Sequence, residues 1–231
     1  MQKDIETNRN LILNAAEELM SRHGFHAVSM REIASEAGVH LGSVTYYFKT
    51  KANLLSEIYQ RHSRPMNQRR VELLNEAERI KDPVERLSAI IRAFAVPAFS
   101  SNVDSVGGGA RFTRLRAILS MEGNEIAKKI IATTFDDTTH TFMNAIARCL
   151  PKVKKADIIW RCHFLLGSLY YTLVNGERID RLSDGKCRSG DQEMAVNQLV
   201  TAMVASLLSC DKGYKGKASM TTTPAAMRKR A

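Results

Sequence analysis

One stretch, Ser29 to Lys51 (SMREIASEAGVHLGSVTYYFKTK), leaves the chain few choices of fold. Ser29 followed by Glu32 is a capping box: the serine oxygen accepts an orphan backbone N–H and the glutamate reaches back to the cap. Met30, Ile33, Ala34 and Ala37 then fall on one helical face. Gly38 stands where that helix must end in a left-handed residue. Val39 plugs the corner, and Val44 and Phe48 share a face of the next helix. A small residue at Ala34, a glycine corner and a branched residue at Val44 are the steric requirements of a helix-turn-helix. Such a unit lays its second helix in the major groove of DNA. A helical hairpin inside a core would show the same apolar residues. It would have no use for the polar row Ser43, Thr45, Tyr46, Tyr47, Lys49 and Lys51, which suits phosphates, base edges and thymine methyls.

The run AGVHLGSVTYYFKTKANL resembles the signature of TetR-family transcriptional repressors, matching it at Ala37, Gly38, Val39, Gly42, Tyr47, Phe48, Lys51 and Leu54. His40, Leu41 and Thr45 depart from that signature. The spacing of Val39, Leu41, Val44, Tyr46 and Phe48, and the later W-R-x-H-F-x-x-G at Trp160 to Gly167, look more like the family's fatty-acid-responsive branch. The resemblance implies roles residue by residue. Ser29 and Lys51 would hold phosphates, and Arg31 would reach a base edge, a guanine by its chemistry. Gly42 would admit the DNA backbone, Ser43 and Thr45 would face bases, and Tyr46 and Tyr47 would touch phosphate or a thymine methyl. Lys51→Ala is then expected to weaken all sequences alike and to lower the salt slope by about one unit.

Composition supports this less than it first suggests. The formal charge is +10, but residues 1–64 carry eight Lys and Arg against seven Asp and Glu. The excess lies at 83–190, with sixteen against ten. A non-specific DNA-packaging protein would be more basic in its head and would not need so large an apolar body. With 44% hydrophobic and 25% charged residues the chain reads as globular. No run is apolar enough to span a bilayer, and MQKDIETNRN has no signal-peptide core, so a cytoplasmic protein is expected. The four cysteines, 149, 162, 187 and 210, lack ligand spacing and read as reduced thiols. Asp136, Asp137 and His140 read as solvated charges, and neither a metal nor a cofactor is called for.

Along the chain the periodicity gives an all-α fold. Residues 1–7 are expected to fray, and a first helix covers Arg9 to His23 with Gly24 as its cap. A fourth helix runs from Lys51 to about Ile80, kinked or broken at Pro65. A fifth starts at Pro83 and bends near Pro97. The loop SSNVDSVGGG (100–109) lacks the GK[ST] ending of a phosphate loop. Helices then cover about Ala110–Met121, Glu125–Leu150, Lys155–Asn175 and Gln192–Ser209, with a polar loop at 176–191. The domains expected are a three-helix DNA-binding head at 7–65 (motif 29–48), a helical ligand-binding and dimerisation body at 66–210, and a basic, disordered tail at 211–231.

The last helix is apolar nearly all round, so one face needs a partner beyond its own core. With the apolar helix before it, this suggests a four-helix dimer interface carrying Leu169, Leu199, Met203 and Leu207, the arrangement the family uses. A homodimer reads an inverted repeat in double-stranded DNA. Helical bodies of the family enclose an apolar pocket. Phe94, Phe112, Phe142 and Tyr170, with Arg111, Arg114 and His163 as polar contacts, are its expected lining. A small hydrophobic anion (a fatty acid, an acyl-CoA or an aromatic acid) suits the positive body. The function read from the sequence is a sequence-specific repressor released by such a ligand. A ligand-dependent activator is the alternative. An enzyme on acyl substrates finds no support, because no catalytic residues assemble in any motif: G-x-S-x-G, H-E-x-x-H and paired carboxylates in an apolar setting are all missing.

Overall fold

The computed structural model describes residues 2–100 and 109–211. Most of the glycine-rich loop, and all of the tail past Asp211, lie outside the described residues. Within them there are ten helices and no strand, an all-α fold as expected.

The head is built by α1 (Gln2–Ala27), α2 (Met30–Glu36) and α3 (Leu41–Phe48) against the start of α4 (Lys51–Ala77). Helix α1 begins at Gln2, seven residues before the expected start, and its regular geometry is interrupted at Gly24 (φ 83°, ψ 176°). The capping box on α2 forms as read: Glu32 N–H donates to Ser29 Oγ at 3.2 Å, and Ser29 N–H donates to Glu32 Oε2 at 2.7 Å. These bonds hold the Glu32 carboxyl below the usual range. Gly38 takes φ 65° at the corner. Ile33, Ala34, Val44 and Phe48 are buried with Ile12, Ala16, Met20 and Leu54, at the head's end of a core that continues into the body.

Helix α4 is not broken at Pro65; it runs from Lys51 to Ala77 with the proline inside. A proline removes one helical hydrogen bond, but here the flanking turns are pinned by tertiary contacts. Ser63 and Met66 are buried, and Asn67 donates its side-chain N–H to the Thr134 carbonyl at 2.6 Å. The boundary expected at residue 65 therefore falls inside a helix. The body adds α5 (Pro83–Phe99), α6 (Gly109–Met121), α7 (Glu125–Cys149), α8 (Lys155–Val174), α9 (Gly176–Leu182) and α10 (Gln192–Leu208). Asp82 and Asn124 cap α5 and α7, and Pro83 opens α5 where its missing N–H costs nothing. Pro97 is carried within α5. The segment expected to be loop from 176 instead begins as the short helix α9. No helix among the described residues is long and apolar enough to cross a membrane.

Head and body are locked to one another. Helix α1 packs along α6, where Arg111 pairs with Glu18 at 3.0 Å and Glu122 accepts the Phe25 N–H at 3.0 Å. On α4, His62 lies 2.7 Å from Glu17 and stacks on Phe112, ring centroids 4.7 Å apart.

Candidate nucleic-acid interface and ligand cavity

The buried residues of α3 fix what its other side presents. With Val44 and Phe48 inward, Gly42, Thr45, Tyr46 and Lys49 form one exposed stripe, and Tyr46 is 78% exposed. Thr45 Oγ1 donates to the Leu41 carbonyl at 3.2 Å. Ser43 and Tyr47 are half-buried at the edge of the stripe, and the Tyr46 and Tyr47 rings meet edge to face at 5.3 Å. Lys49 closes the helix at φ 60°, a conformation rare for a residue with a side chain. Arg31 and Ser29 are exposed on and before α2, next to this surface. Leu41, at the first turn of α3, is also exposed, a surface position with no contact role read from the sequence. Its helical phase, one residue before Gly42, carried the signal.

Lys51 is not part of the exposed stripe. Its ammonium turns inward, donating to the carbonyls of Phe25 and Val28 at 2.6 Å each and lying 4.4 Å over the Phe25 ring. Burial pushes it below the usual lysine range, with Glu122 and Glu32 opposing. Two of its three donors thus tie α4 to the end of α1, where the resemblance implies a hold on phosphate. Lys51→Met is expected to lower stability by about 1–3 kcal/mol, read in a urea melt. An unchanged melt, with a salt slope of DNA binding lower by one, would return the lysine to the phosphates.

Inside the body a cavity of about 200 Å³ opens between α4, α5, α6, α7 and α8. Three of the expected residues line it: Phe94, Phe142 and His163. Phe112 is instead packed into the core between Tyr59 and His62. Arg111 is engaged with Glu18, and Arg114 is exposed on the outer face of α6. Tyr170 stands behind the wall, 5.8 Å from the Arg116 guanidinium. The charges that do line the cavity are Arg70 and Arg116, only 2% and 4% exposed. Their phase was legible. Arg116 lies four residues after Phe112 and three before Leu119, and Arg70 lies four after Met66 and four before Leu74, all inward positions.

Arg70 Nε donates to the Phe94 carbonyl at 3.0 Å, and its guanidinium lies 4.1 Å over the Phe94 ring. Arg116 sits 3.5 Å over the Phe135 ring, and its buried Nε has no hydrogen-bond partner. Burial, reinforced by the Arg116 charge, pushes Arg70 down to about 9. Cys162 also lines the cavity, but burial pushes its thiol up to about 11, the wrong direction for a nucleophile.

The expected dimer residues are mostly turned into the protomer's own core. Leu169, Met203 and Leu207 are 1%, 6% and 1% exposed, and only Leu199 is half-buried. The apolar residues left on the surface of α8 are Ile159, Trp160, Phe164 and Tyr171.

Comparison with known proteins agrees with both halves of this geometry. The profile described as "Bacterial regulatory proteins, tetR family" matches residues 12–58. The one described as "Tetracyclin repressor-like, C-terminal domain" matches residues 92–206. Among curated relatives, the transcriptional regulator UidR of Escherichia coli K12 is 36% identical over 58 residues, 25% of this chain and 30% of UidR. The regulator AcrR of Shigella flexneri is 32% identical over 90 residues, 39% of this chain and 41% of AcrR. The chain thus spans less than half the length of the curated relatives it matches. Among solved structures, the fatty acid degradation regulator FadR from Bacillus halodurans has a TM-score of 0.57 at 17% identity, covering 85% of this chain and 94% of that one. FadR from Bacillus subtilis, solved in complex with stearoyl-CoA, has a TM-score of 0.52 at 18% identity, covering 85% and 97%. Those structural likenesses speak to the fold alone. With a tetR-type profile on the helix-turn-helix head and a second on the helical body, the chain belongs to the TetR family of bacterial regulatory proteins.

Proposed function

We propose that the protein is a cytoplasmic transcriptional repressor that binds a palindromic operator as a homodimer and leaves it when an apolar anion enters the body. The observation that carries the DNA half is the exposed stripe Gly42, Thr45, Tyr46 and Lys49, held rigid by Val44 and Phe48 beneath it. A two-fold pair of such helices reads half-sites about one helical turn apart or a multiple of that. The dimer reading now rests on the uncovered row Trp160, Phe164 and Tyr171 of α8, together with Ala202 and Ala205 exposed on α10, which packs against α8. Large apolar side chains exposed along one helix call for a partner. The switch rests on α4 and α6, which carry Arg70 and Arg116 at the cavity and also touch the head through His62 and Arg111. A ligand that prefers one arrangement of those two helices shifts the spacing of the heads.

Tyr46→Ala tests the DNA surface. The side chain supports little of the fold, so the melting temperature should stay within about 2 °C while operator affinity falls about tenfold. Fragments selected from genomic DNA, titrated by anisotropy at two salt concentrations, supply the operator. Enrichment of one inverted repeat, bound roughly a thousandfold above unrelated DNA, supports the reading. Binding that merely fades with salt on every sequence sinks it in favour of non-specific association. A ligand that tightens the complex would make the protein an activator of the same site.

A further inference from the structure

From the lining of the cavity we infer that the ligand is a compact free monocarboxylate, of aryl or short acyl type, seated with its carboxylate inward between Arg70 and Arg116. This rests on the body being the ligand-binding half and is independent of the operator. Two guanidiniums share a wall that is otherwise mostly apolar, with Ile90, Ile91, Phe142 and Met143 around them. Among the described residues neither arginine forms an ion pair. One has only a carbonyl, and the other leaves its Nε unpartnered, with the buried Tyr59 hydroxyl also unpartnered in the same aromatic cluster. Buried charges are normally paired, and two like charges in one wall raise the cost of each. A carboxylate offers two oxygens and about four acceptor sites, enough to bridge both guanidiniums.

Size sets the rest of the molecule. A cavity of about 150 Å³ holds benzene, so about 200 Å³ holds roughly eight non-hydrogen atoms by proportion. That is a six-carbon acid counted with its two oxygens; an eight-carbon or arylacetic acid, with ten such atoms, keeps its carboxylate among the arginines and leaves its last two atoms at the open mouth. The cavity meets the surface at Ile159 and His163 of α8, both exposed, so the apolar end points there. A thioester of the same acid puts a neutral carbonyl where the anion belongs and hangs its own charges outside the apolar wall. It does not neutralise either arginine.

Calorimetry on the full chain without DNA tests this, with octanoate, phenylacetate, octanol, octanoyl-CoA and inorganic phosphate as titrants. One or both carboxylates should bind at least tenfold more tightly than octanol, octanoyl-CoA and phosphate. Arg116→Met should lower the carboxylate affinity at least tenfold, and Arg116→Lys should recover part of it. The melting temperature of each variant is recorded, so that a loss of fold is not read as a loss of site. Equal affinity for octanol, a preference for octanoyl-CoA or for phosphate, or an unchanged Arg116→Met overturns the inference. Carboxylate binding that leaves the operator complex intact supports the inference and sinks the release mechanism. Release by some other compound, with no carboxylate bound, does the reverse.

Discussion

Replacing Arg116 with methionine is expected to make the unliganded protein more stable, raising its melting temperature by about 2–8 °C. The side chain is 4% exposed, packs on Phe135 and has an unpartnered Nε. Two effects compete. The guanidinium's attraction to a desolvated ring is worth about 2 kcal/mol, whereas an unpaired buried ion costs several kcal/mol even after relaxation. The second wins by roughly 1–2 kcal/mol, which is about 2–4 °C per kcal/mol in a chain of this size. Methionine fills similar space and makes its own favourable contact with the ring. A calorimetric scan of the two proteins without ligand decides the sign. A clear fall in melting temperature would mean that Arg116 is satisfied in the free protein, and the argument for an anion in the cavity would weaken with it. The same penalty shows in pH. Arg70 is held down to about 9, below its ordinary value, so between about 9 and 12 the unfolded chain binds more protons than the folded one. Stability from this group therefore rises with pH across that window, and its full cost is present below it.

The opposite sign and a larger effect are expected of Gly24→Ala. Gly24 sits at φ 83° and ψ 176°, a region essentially reserved for glycine, at a cost of about 1–3 kcal/mol for another residue. An added Cβ would also overlap the Glu122 carboxylate, which then loses its bond from the Phe25 N–H. A hydrogen bond to a charged group is worth about 1.5–3 kcal/mol. Together the substitution should cost about 3–5 kcal/mol, a fall of very roughly 6–20 °C. Glu122→Ala removes the hydrogen bond without the backbone strain, so denaturant melts of the two variants separate the terms. Equal losses would mean that the strain at Gly24 contributes nothing.

The helix-turn-helix was legible because its signals are local: Ser29 with Glu32, Gly38, and the phase of Val44 and Phe48 all act within one or two turns. The long helices α5 to α8 and α10 followed from 3.6-residue periodicity for the same reason, while the short polar α9 carries no such period and was not legible. The inward turn of Lys51 was not legible because its partners are the carbonyls of Phe25 in α1 and Val28 just after it, more than twenty residues away, and nothing in the local pattern announces an inward lysine. The ligand residues failed differently. Arg111 and Arg114 attracted attention as charges, yet at about 100° per residue both leave the apolar face that Phe112 and Leu119 define. Arg116 stays on it, and Arg70 stays on the face of Met66 and Leu74. Helical phase, had it been followed, singles out the buried Arg70 and Arg116, whereas charge density pointed at the solvated Arg111 and Arg114. The dimer residues failed because apolar phase alone cannot say which of two faces a helix turns towards its own core.

Helix α4 carries a consequence for anyone recombining relatives. It runs without a break through the junction of head and body, about 40 Å at 1.5 Å per residue. A chimera that takes its DNA-reading half from another protein must therefore be spliced within a continuous helix. Inserting or deleting a single residue there turns one half about 100° against the other and shifts it about 1.5 Å along the axis. That would pull Glu18 from Arg111 and Glu122 from the Phe25 amide while leaving every local motif intact. Seams that preserve the residue count between Lys51 and Ala77 keep both halves in register; one-residue indels should yield proteins that fold in parts and respond to nothing.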